Sequence, residues 1–387
     1  MERDILKALE AWKTSENRKP LVLRGARQVG KTWCLKEFGR RSFETCAYLR
    51  LEDNAAAAAL FEGSLDPQRL ILGIAALTNT EIQPEKTLIV LDEVQAVPRA
   101  LTALKYFCED APEYCIAVAG SLLGVAMHAG VSFPVGKVDF LDLYPMSFTE
   151  FLEATGEEAA VQFIRQHNTD MISVFAEQLT DALRRYYYVG GMPEAVESFR
   201  LRGDFAAVRS IQKSILAGYE GDFSKHISGA LSERCRLVWD SLPHQLAKEN
   251  KRFVYGAVRE GARAREFEEA IQVLVDSGLV LKVPRISKPG LPLAAYSDPQ
   301  AFKLYLLDVG LLGALTGLDS STILEGSSLF TEFKGVMAEQ YVCQQLVSEC
   351  ELVPYYWSAE KSSGEVDFVV QLQTNVLPIE VKAETNL

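Results

Sequence analysis

Residues 20–38 read PLVLRGARQVGKTWCLKEF, and this stretch decides the fold. Leu21, Val22 and Leu23 make a short apolar run of the kind a buried parallel strand needs. It leads into G-x-x-x-x-G-K-[ST], filled by Gly25, Ala26, Arg27, Gln28, Val29, Gly30, Lys31 and Thr32, and then into a helical spacing of Trp33, Leu35 and Phe38. Glycines let consecutive backbone N–H groups curl round a polyphosphate, and the helix that follows aims its positive end at the same charge. In such a loop a lysine at position 31 reaches the β and γ phosphates, and a hydroxyl at position 32 ligates Mg²⁺. The chain therefore reads as a nucleotide-binding protein, with residues 25–33 around the nucleotide and with ATP or ADP and Mg²⁺ as its ligands.

The bulk numbers narrow the class. At 387 residues the chain has room for two to four domains of ~100–200 residues each. A formal net charge of −12 argues against a uniformly basic nucleic-acid binder and leaves local basic faces open. No apolar stretch approaches the ~20 residues of a membrane span, and residues 1–16 mix charged with apolar residues at helical spacing, unlike a signal peptide. No membrane partner is expected. The seven cysteines contain no C-x-x-C pair; Cys343 and Cys350 read as packing thiols, and an odd count beside a nucleotide site indicates a reducing cytoplasm. His128, His167, His226 and His244 lack metal-ligand spacing, so no zinc site is expected.

Apolar runs at 21–23, 47–51, 88–91, 116–119 and 138–143 punctuate the first 145 residues, with helical or loop-like stretches between them. This β/α alternation predicts a doubly wound parallel sheet with ligands at the carboxyl ends of its strands. The run TLIVL ends at Asp92 and Glu93. There Asp92 would hold Mg²⁺, through water, and Glu93 would polarise the attacking water. The run CIAVAG ends at Ser121, whose hydroxyl either touches the γ-phosphate or the attacking water, or simply forms a turn after Gly120. Arg24 and Arg27 stand near the phosphates, and flanking arginines are usually solvated, so neither is given a chemical role.

The strings GARQVGKT, LIVLDEVQ, AGSLLG, LYPMSFTEF and YYVGGMPEAV, in that order, resemble the prokaryotic AAA+-type ATPases with an appended domain of unknown function, the AAA_14/DUF4143 family. SGLVLKV and FKLYLLDVGLL resemble the appended part. The first two strings are shared by many ATPases; LYPMSF, GGMPEAV and FKLYLLDVGLL are particular to the family. The resemblance implies an α/β fold: a P-loop NTPase parallel sheet of the AAA+/ASCE type, with a helical lid, a winged helix and a partial restriction-endonuclease-like α/β domain. The expected boundaries are 1–147 for the ATPase core, 148–235 for the lid, 236–325 for the winged helix and 326–387 for the nuclease-like domain.

Within the lid, Gly190 and Gly191 interrupt a helical pattern just before Pro193. In related switch-like ATPases a G-x-P turn presses its proline on adenine, which here would be Pro193; a helix stop followed by a proline at a helix start explains the same letters without a ligand. Arg184 and Arg185 are the candidates for an arginine finger, in cis or across a homo-oligomer interface. From 239 onward the order is three helices followed by the strand-like LVLKVPRI and AAYSDP, a winged-helix pattern. Lys248, Lys251, Arg252, Arg259, Arg263 and Arg265 against Glu249 and Glu260 leave a local charge of six minus two, +4. The helix that would enter a DNA groove begins with Glu266, Glu268 and Glu269, a poor surface for phosphates, which favours a structural or regulatory wing.

A second acidic set lies near the C-terminus. TEFKGVMAEQYVCQQLVSE reads as a helix whose apolar arc includes Val336, Cys343, Leu346 and Val347, with Glu339 inside it. EVDFVV and, after a turn at Asn375, VLPIEVKA read as alternating strands that would place Asp367, Glu380 and Lys382 on one face. Together with Glu339 this resembles the PD-(D/E)xK nucleases, in which such a cluster binds Mg²⁺ and cleaves DNA; the alternative is a degenerate fold with internal salt bridges. The chain stops five residues after Lys382, so the domain is expected to be trimmed or truncated. The leading reading is a cytoplasmic, Mg²⁺-dependent ATPase or switch that moves the C-terminal region, with an unknown protein partner. The alternative is a DNA-binding or DNA-cleaving protein in which ATP only gates access.

Overall fold

The computed structural model describes residues 1–120, 134–227, 229–248, 250–324, 331–359 and 364–383. The chain divides into two compact units, one of residues 3–144 and one of residues 145–387 together with Met1 and Glu2.

In the first unit five strands, β1 (Leu21–Arg24), β2 (Thr45–Arg50), β3 (Thr87–Asp92), β4 (Cys115–Ala119) and β5 (Asp139–Asp142), form one sheet in the order β2-β3-β4-β1-β5. Every pairing is parallel. β3 and β4 are buried along their whole length, which is why they read as unbroken apolar runs rather than as alternating ones. The helices Ala55–Glu62, Pro67–Thr78 and Pro98–Asp110 bring Phe61, Leu70, Ile74, Leu104 and Phe107 onto Ile89, Leu91 and Val118. Their starts are written in the sequence: Asn54 caps Ala57 N, Asp66 caps Arg69 N, and Pro67 and Pro98 open their helices. This is the α/β P-loop NTPase sheet expected, with β4 between β1 and β3.

The second unit begins as a set of helices from Phe148–Ala154 to Gly229–Leu246. The helices Tyr255–Val258 and Ala264–Asp276 follow, and then the antiparallel pair β6 (Val280–Ile286) and β7 (Ser297–Leu306). β8 (Tyr355–Ser358), β9 (Glu365–Leu372) and β10 (Asn375–Ile379) complete a five-stranded sheet in the order β10-β9-β8-β6-β7. β6 pairs in parallel with β8, so strands from the segments expected as wing and as tail share one sheet.

Three details differ from the sequence reading. The strand expected at AAYSDP begins only at Ser297 and runs on through FKLYL, because residues 293–296 form a 3₁₀ turn. The tail hairpin turns at Gln373 and Thr374, with Gln373 at φ 55°, not at Asn375. Its second strand ends at Ile379, so Glu380, Val381 and Lys382 lie beyond the ladder and VLPIEVKA is not one alternating strand. In β9 the alternation also fails, since Phe368, Val369 and Val370 are all buried.

The three strings peculiar to the family meet inside the second unit. Gly191 N donates to Asp308 Oδ2 at 2.6 Å, Met146 N donates to Gly191 O at 2.7 Å, and Tyr186 Oη donates to Met146 O at 2.6 Å. Gly310 lies against Gly190 N and Val189 O so closely that a methyl group there would stand 2.6 Å from both. A methyl group on Gly191 would overlap the Met146 carbonyl. Gly191→Ala is therefore expected to cost about 3 kcal/mol or more, as overpacking against backbone does. Gly218, in the helix Phe205–His226, faces open space, with nothing within 4 Å of where a methyl group would sit, and Gly218→Ala is expected to gain up to about 1 kcal/mol. Urea unfolding midpoints of the two variants check the contrast.

Candidate functional site

The loop between β1 and the helix Lys31–Ser42 is shaped by two glycines. Gly25 has φ 144° and presses on the carbonyl of Leu143, leaving no room for a side chain. Gly30 has φ 100° and caps the helix with no side-chain bond, so the first N–H groups of that helix are left for a ligand. Val29 and Ala26 are buried, whereas Arg27 and Gln28 point outward, with Gln28 in the left-handed region at φ 67°. Arg3 ties the loop down: its guanidinium donates to Val29 O at 2.9 Å and to Tyr144 O at 2.8 Å. Sequence reasoning did not find Arg3, whose only local signal is an arginine at the start of an amphipathic helix.

Lys31 is folded back onto the loop, its Nζ donating to Gly25 O at 2.8 Å and Ala26 O at 2.7 Å. Burial pulls its ammonium down to about 8, against the opposing pull of Glu93 and Asp92. Trp33, one position past the threonine, is 41% exposed. Arg24, left without a role on sequence grounds, makes a two-pronged pair with Asp142 at 2.8 and 2.7 Å across the edge pairing of β1 with β5.

Asp92, at the end of β3, is 4% exposed. Its Oδ2 accepts from Thr32 Oγ1 at 2.7 Å and from Tyr48 Oη at 2.8 Å, and its Oδ1 accepts from Glu93 N at 3.0 Å. The sheet order explains the meeting, because Thr32 follows β1 and Asp92 ends β3 at the same edge of the sheet. Tyr48 was missed by sequence reasoning; it lies on β2 in register with Val90 of β3. Burial, with the neighbouring Asp92 carboxylate, keeps its phenol above the ordinary range. Lys36 stands 3.7 Å over its ring.

Two hard oxygen donors, the Thr32 hydroxyl and the Asp92 carboxylate, fit Mg²⁺, which takes one or two protein oxygens and fills the rest of its octahedron with phosphate and water. Among the described residues no group of three or more His, Cys, Asp or Glu could hold a metal ion by itself. Glu93 follows in the left-handed region at φ 54° and ψ 47°, and its Oε2 accepts from Gln95 Nε2 at 2.6 Å. Ser121 lies outside the described residues.

In the second unit Pro193 opens the helix Pro193–Arg202 at its first turn. Arg184 pairs with Asp181 at 2.8 Å and Arg185 with Glu157 at 2.7 Å. Glu339 is buried, with Lys251 Nζ at 2.5 Å, Tyr305 Oη at 3.1 Å and Lys303 Nζ at 4.0 Å. Lys303, 1% exposed, also meets Glu365 at 2.5 Å. Asp367 accepts from Val381 N at 2.8 Å, and burial together with the nearby Glu339 pushes its carboxyl up. Lys382 pairs with Glu380 at 2.6 Å, both half-exposed or more. The buried Glu339 is thus balanced by two lysines, neither of them the lysine named from the D…E-x-K spacing, and that lysine serves its own neighbour.

Residues 17–152 match AAA_14, an AAA domain; residues 180–322 match DUF8612 and residues 334–387 match DUF4143, both domains of unknown function. No curated protein matches the chain. Similar solved structures include a Walker-type ATPase of Pyrococcus abyssi, 14% identical over 81% of this chain and 95% of that one, with TM-score 0.47. The Orc1 protein of Aeropyrum pernix, solved in complex with DNA, is 15% identical over 81% and 90%, with TM-score 0.29. Cdc6p of Pyrobaculum aerophilum is 11% identical over 83% and 92%, with TM-score 0.26.

Two measurements follow from these geometries. In the nucleotide-free protein Lys31, with its pKa at about 8, is half deprotonated at pH 8, and an arriving polyphosphate favours the charged form. ATP binding at pH 8 is expected to take up roughly half a proton through Lys31, and almost none through it at pH 6.5 where the ammonium is already formed. Calorimetry in buffers of different ionisation enthalpy reads that uptake, which Lys31→Arg should abolish. Separately, Lys303→Met is expected to cost about 3 kcal/mol in urea unfolding, because it strips Glu339 and Glu365 of a buried cation.

Proposed function

We propose that this chain, which carries the AAA_14 core of the AAA-type P-loop ATPases and a DUF4143 segment, is a Mg²⁺-dependent ATPase whose turnover drives its second unit. The observation that carries the reading is the 2.7 Å bond between Thr32 and Asp92 beneath a glycine loop whose lysine is already buried at its mouth. Residues 25–32 wrap the phosphates with backbone N–H groups, as the helix after Gly30 presents them. Lys31 exchanges its two carbonyl partners for β and γ oxygens. Thr32 and Asp92 hold the metal, which neutralises charge on the phosphate oxygens when bound. Tyr48 keeps Asp92 aimed by donating to the same oxygen that Thr32 uses. Glu93, one residue beyond, receives the proton of the attacking water. In this reading the chain is a switch whose second unit responds to the nucleotide state of the first.

ATP turnover with Mg²⁺, with equilibrium binding of ATP, tests the reading. Wild type is expected to release phosphate; Lys31→Ala should lose ATP affinity by at least about tenfold, and Glu93→Gln should bind as wild type and turn over at least about a hundredfold more slowly. A Lys31→Ala protein with unchanged affinity, or a Glu93→Gln protein with unchanged turnover, would overturn it.

A further inference from the structure

Among the described residues of the ATPase unit, Gln95 Oε1 is the only buried side-chain polar atom with no hydrogen-bond partner. Its position is unusual in a second way. Glu93 adopts a left-handed backbone that is strained for a non-glycine residue, and the 3₁₀ turn Val94–Ala96 follows at once. Ala96 N donates to Glu93 O at 3.0 Å and Val97 N to Val94 O at 3.1 Å, while buried Val94 anchors the turn in the core. This backbone folds residue 95 back onto residue 93. One end of the Gln95 carboxamide, Nε2, is thereby committed to the Glu93 carboxylate at 2.6 Å, and the other end, Oε1, is buried without a donor.

A buried acceptor left unpaired bears its full desolvation penalty, and such atoms persist where a water or ligand supplies the missing donor. Beside a catalytic carboxylate, the donor that chemistry requires is the nucleophile. We propose that Gln95 grips both partners of the hydrolytic step: Nε2 fixes Glu93, and Oε1 accepts one O–H of the attacking water whose other proton goes to Glu93. The inference rests on the ATPase reading above. In the step, the water oxygen forms a bond to the γ-phosphorus, the bond from phosphorus to the β,γ-bridging oxygen breaks with its electron pair leaving on ADP, and Glu93 takes one proton and returns it to solvent. A glutamine that only stapled the turn would have its oxygen paired within the turn or in solvent. Here it is neither.

The test is a double-mutant cycle in single-turnover hydrolysis of γ-labelled ATP. Gln95→Met keeps the length and apolar stem and removes both polar atoms; it is expected to slow hydrolysis about 30- to 100-fold with ATP affinity within about twofold of wild type. In a Glu93→Gln background the same change should slow the residual rate by less than about threefold, because the group it positions is already gone. If Gln95→Met melts early, Gln95→Glu replaces it: it keeps the volume, withdraws the donor from Glu93, and should show the same pattern. Equal losses in both backgrounds, a loss confined to ATP affinity, or wild-type turnover in Gln95→Met would overturn the proposal. A wild-type protein that hydrolyses ATP, is silenced by Glu93→Gln and ignores Gln95→Met overturns this inference alone; a wild-type protein that does not hydrolyse ATP overturns the ATPase reading, and this one with it.

Discussion

The hydroxyl of Thr32 and the carboxylate of Asp92 touch because the strand between theirs belongs to neither. β1 delivers the phosphate loop and β3 delivers the acid, and β4 holds them one strand apart at the same end of the sheet. Reordering the strands would leave the loop and the acid as unrelated surface features. Asp92 is almost fully buried and accepts three hydrogen bonds, from Thr32, Tyr48 and the backbone of Glu93. A buried carboxylate is tolerable only when its oxygens are satisfied, and here the groups that satisfy it include the threonine that shares its proposed metal. Stability and the proposed function draw on the same contacts.

Lys31 obeys the same rule with the opposite sign. A buried ammonium needs acceptors, and the loop supplies two of its own carbonyls, Gly25 O and Ala26 O. Those bonds hold the lysine at the mouth of the loop, already desolvated, so in the proposed site a polyphosphate would displace two neutral acceptors and gain a charge that water no longer screens. Burial is the main cause that lowers the ammonium, against the opposing carboxylates of Glu93 and Asp92.

Legibility from sequence followed burial. β3 and β4 were plain in the letters because both faces are covered and every residue had to be apolar; the glycine loop was plain because backbone geometry and phosphate chemistry each restrict the residue types. Tyr48 and Gln95 were not. One reaches Asp92 from a neighbouring strand 44 positions away in sequence, and the other depends on a left-handed backbone at a glutamate, which no propensity announces. The alternation read into the tail failed for a related reason. Alternation implies one buried face, whereas β9 buries three consecutive residues and its partner strand ends before the charged residues that the spacing had grouped. Glu339 was correctly marked as buried, but the lysines beside it, Lys251 and Lys303, come from 88 and 36 positions away and carry no pattern that links them to it.

The family-specific strings point to a different kind of constraint. Asp308 accepts from Gly191 N on one oxygen and from Leu311 N on the other, and burial lifts its carboxyl to about 6 despite those bonds. An asparagine of equal size would turn a donor toward one of those N–H groups, so the position requires two acceptors and bears the desolvation of a carboxylate to have them. Gln344 completes the site, donating to Tyr186 Oη at 2.9 Å while its own oxygen accepts from Val309 N at 2.9 Å. Gly191 has no side chain because the Met146 backbone occupies that space, Gly310 because the backbone of Val189 and Gly190 does, and Gly190 because the Asp308 carboxylate does. The G-x-P letters thus carry a packing role: the glycines let the segments meet, and the proline starts the next helix. A residue fixed by close backbone contact and one fixed by ligand contact look identical in a string of letters, and only the neighbours that fill the missing side chain's place tell them apart.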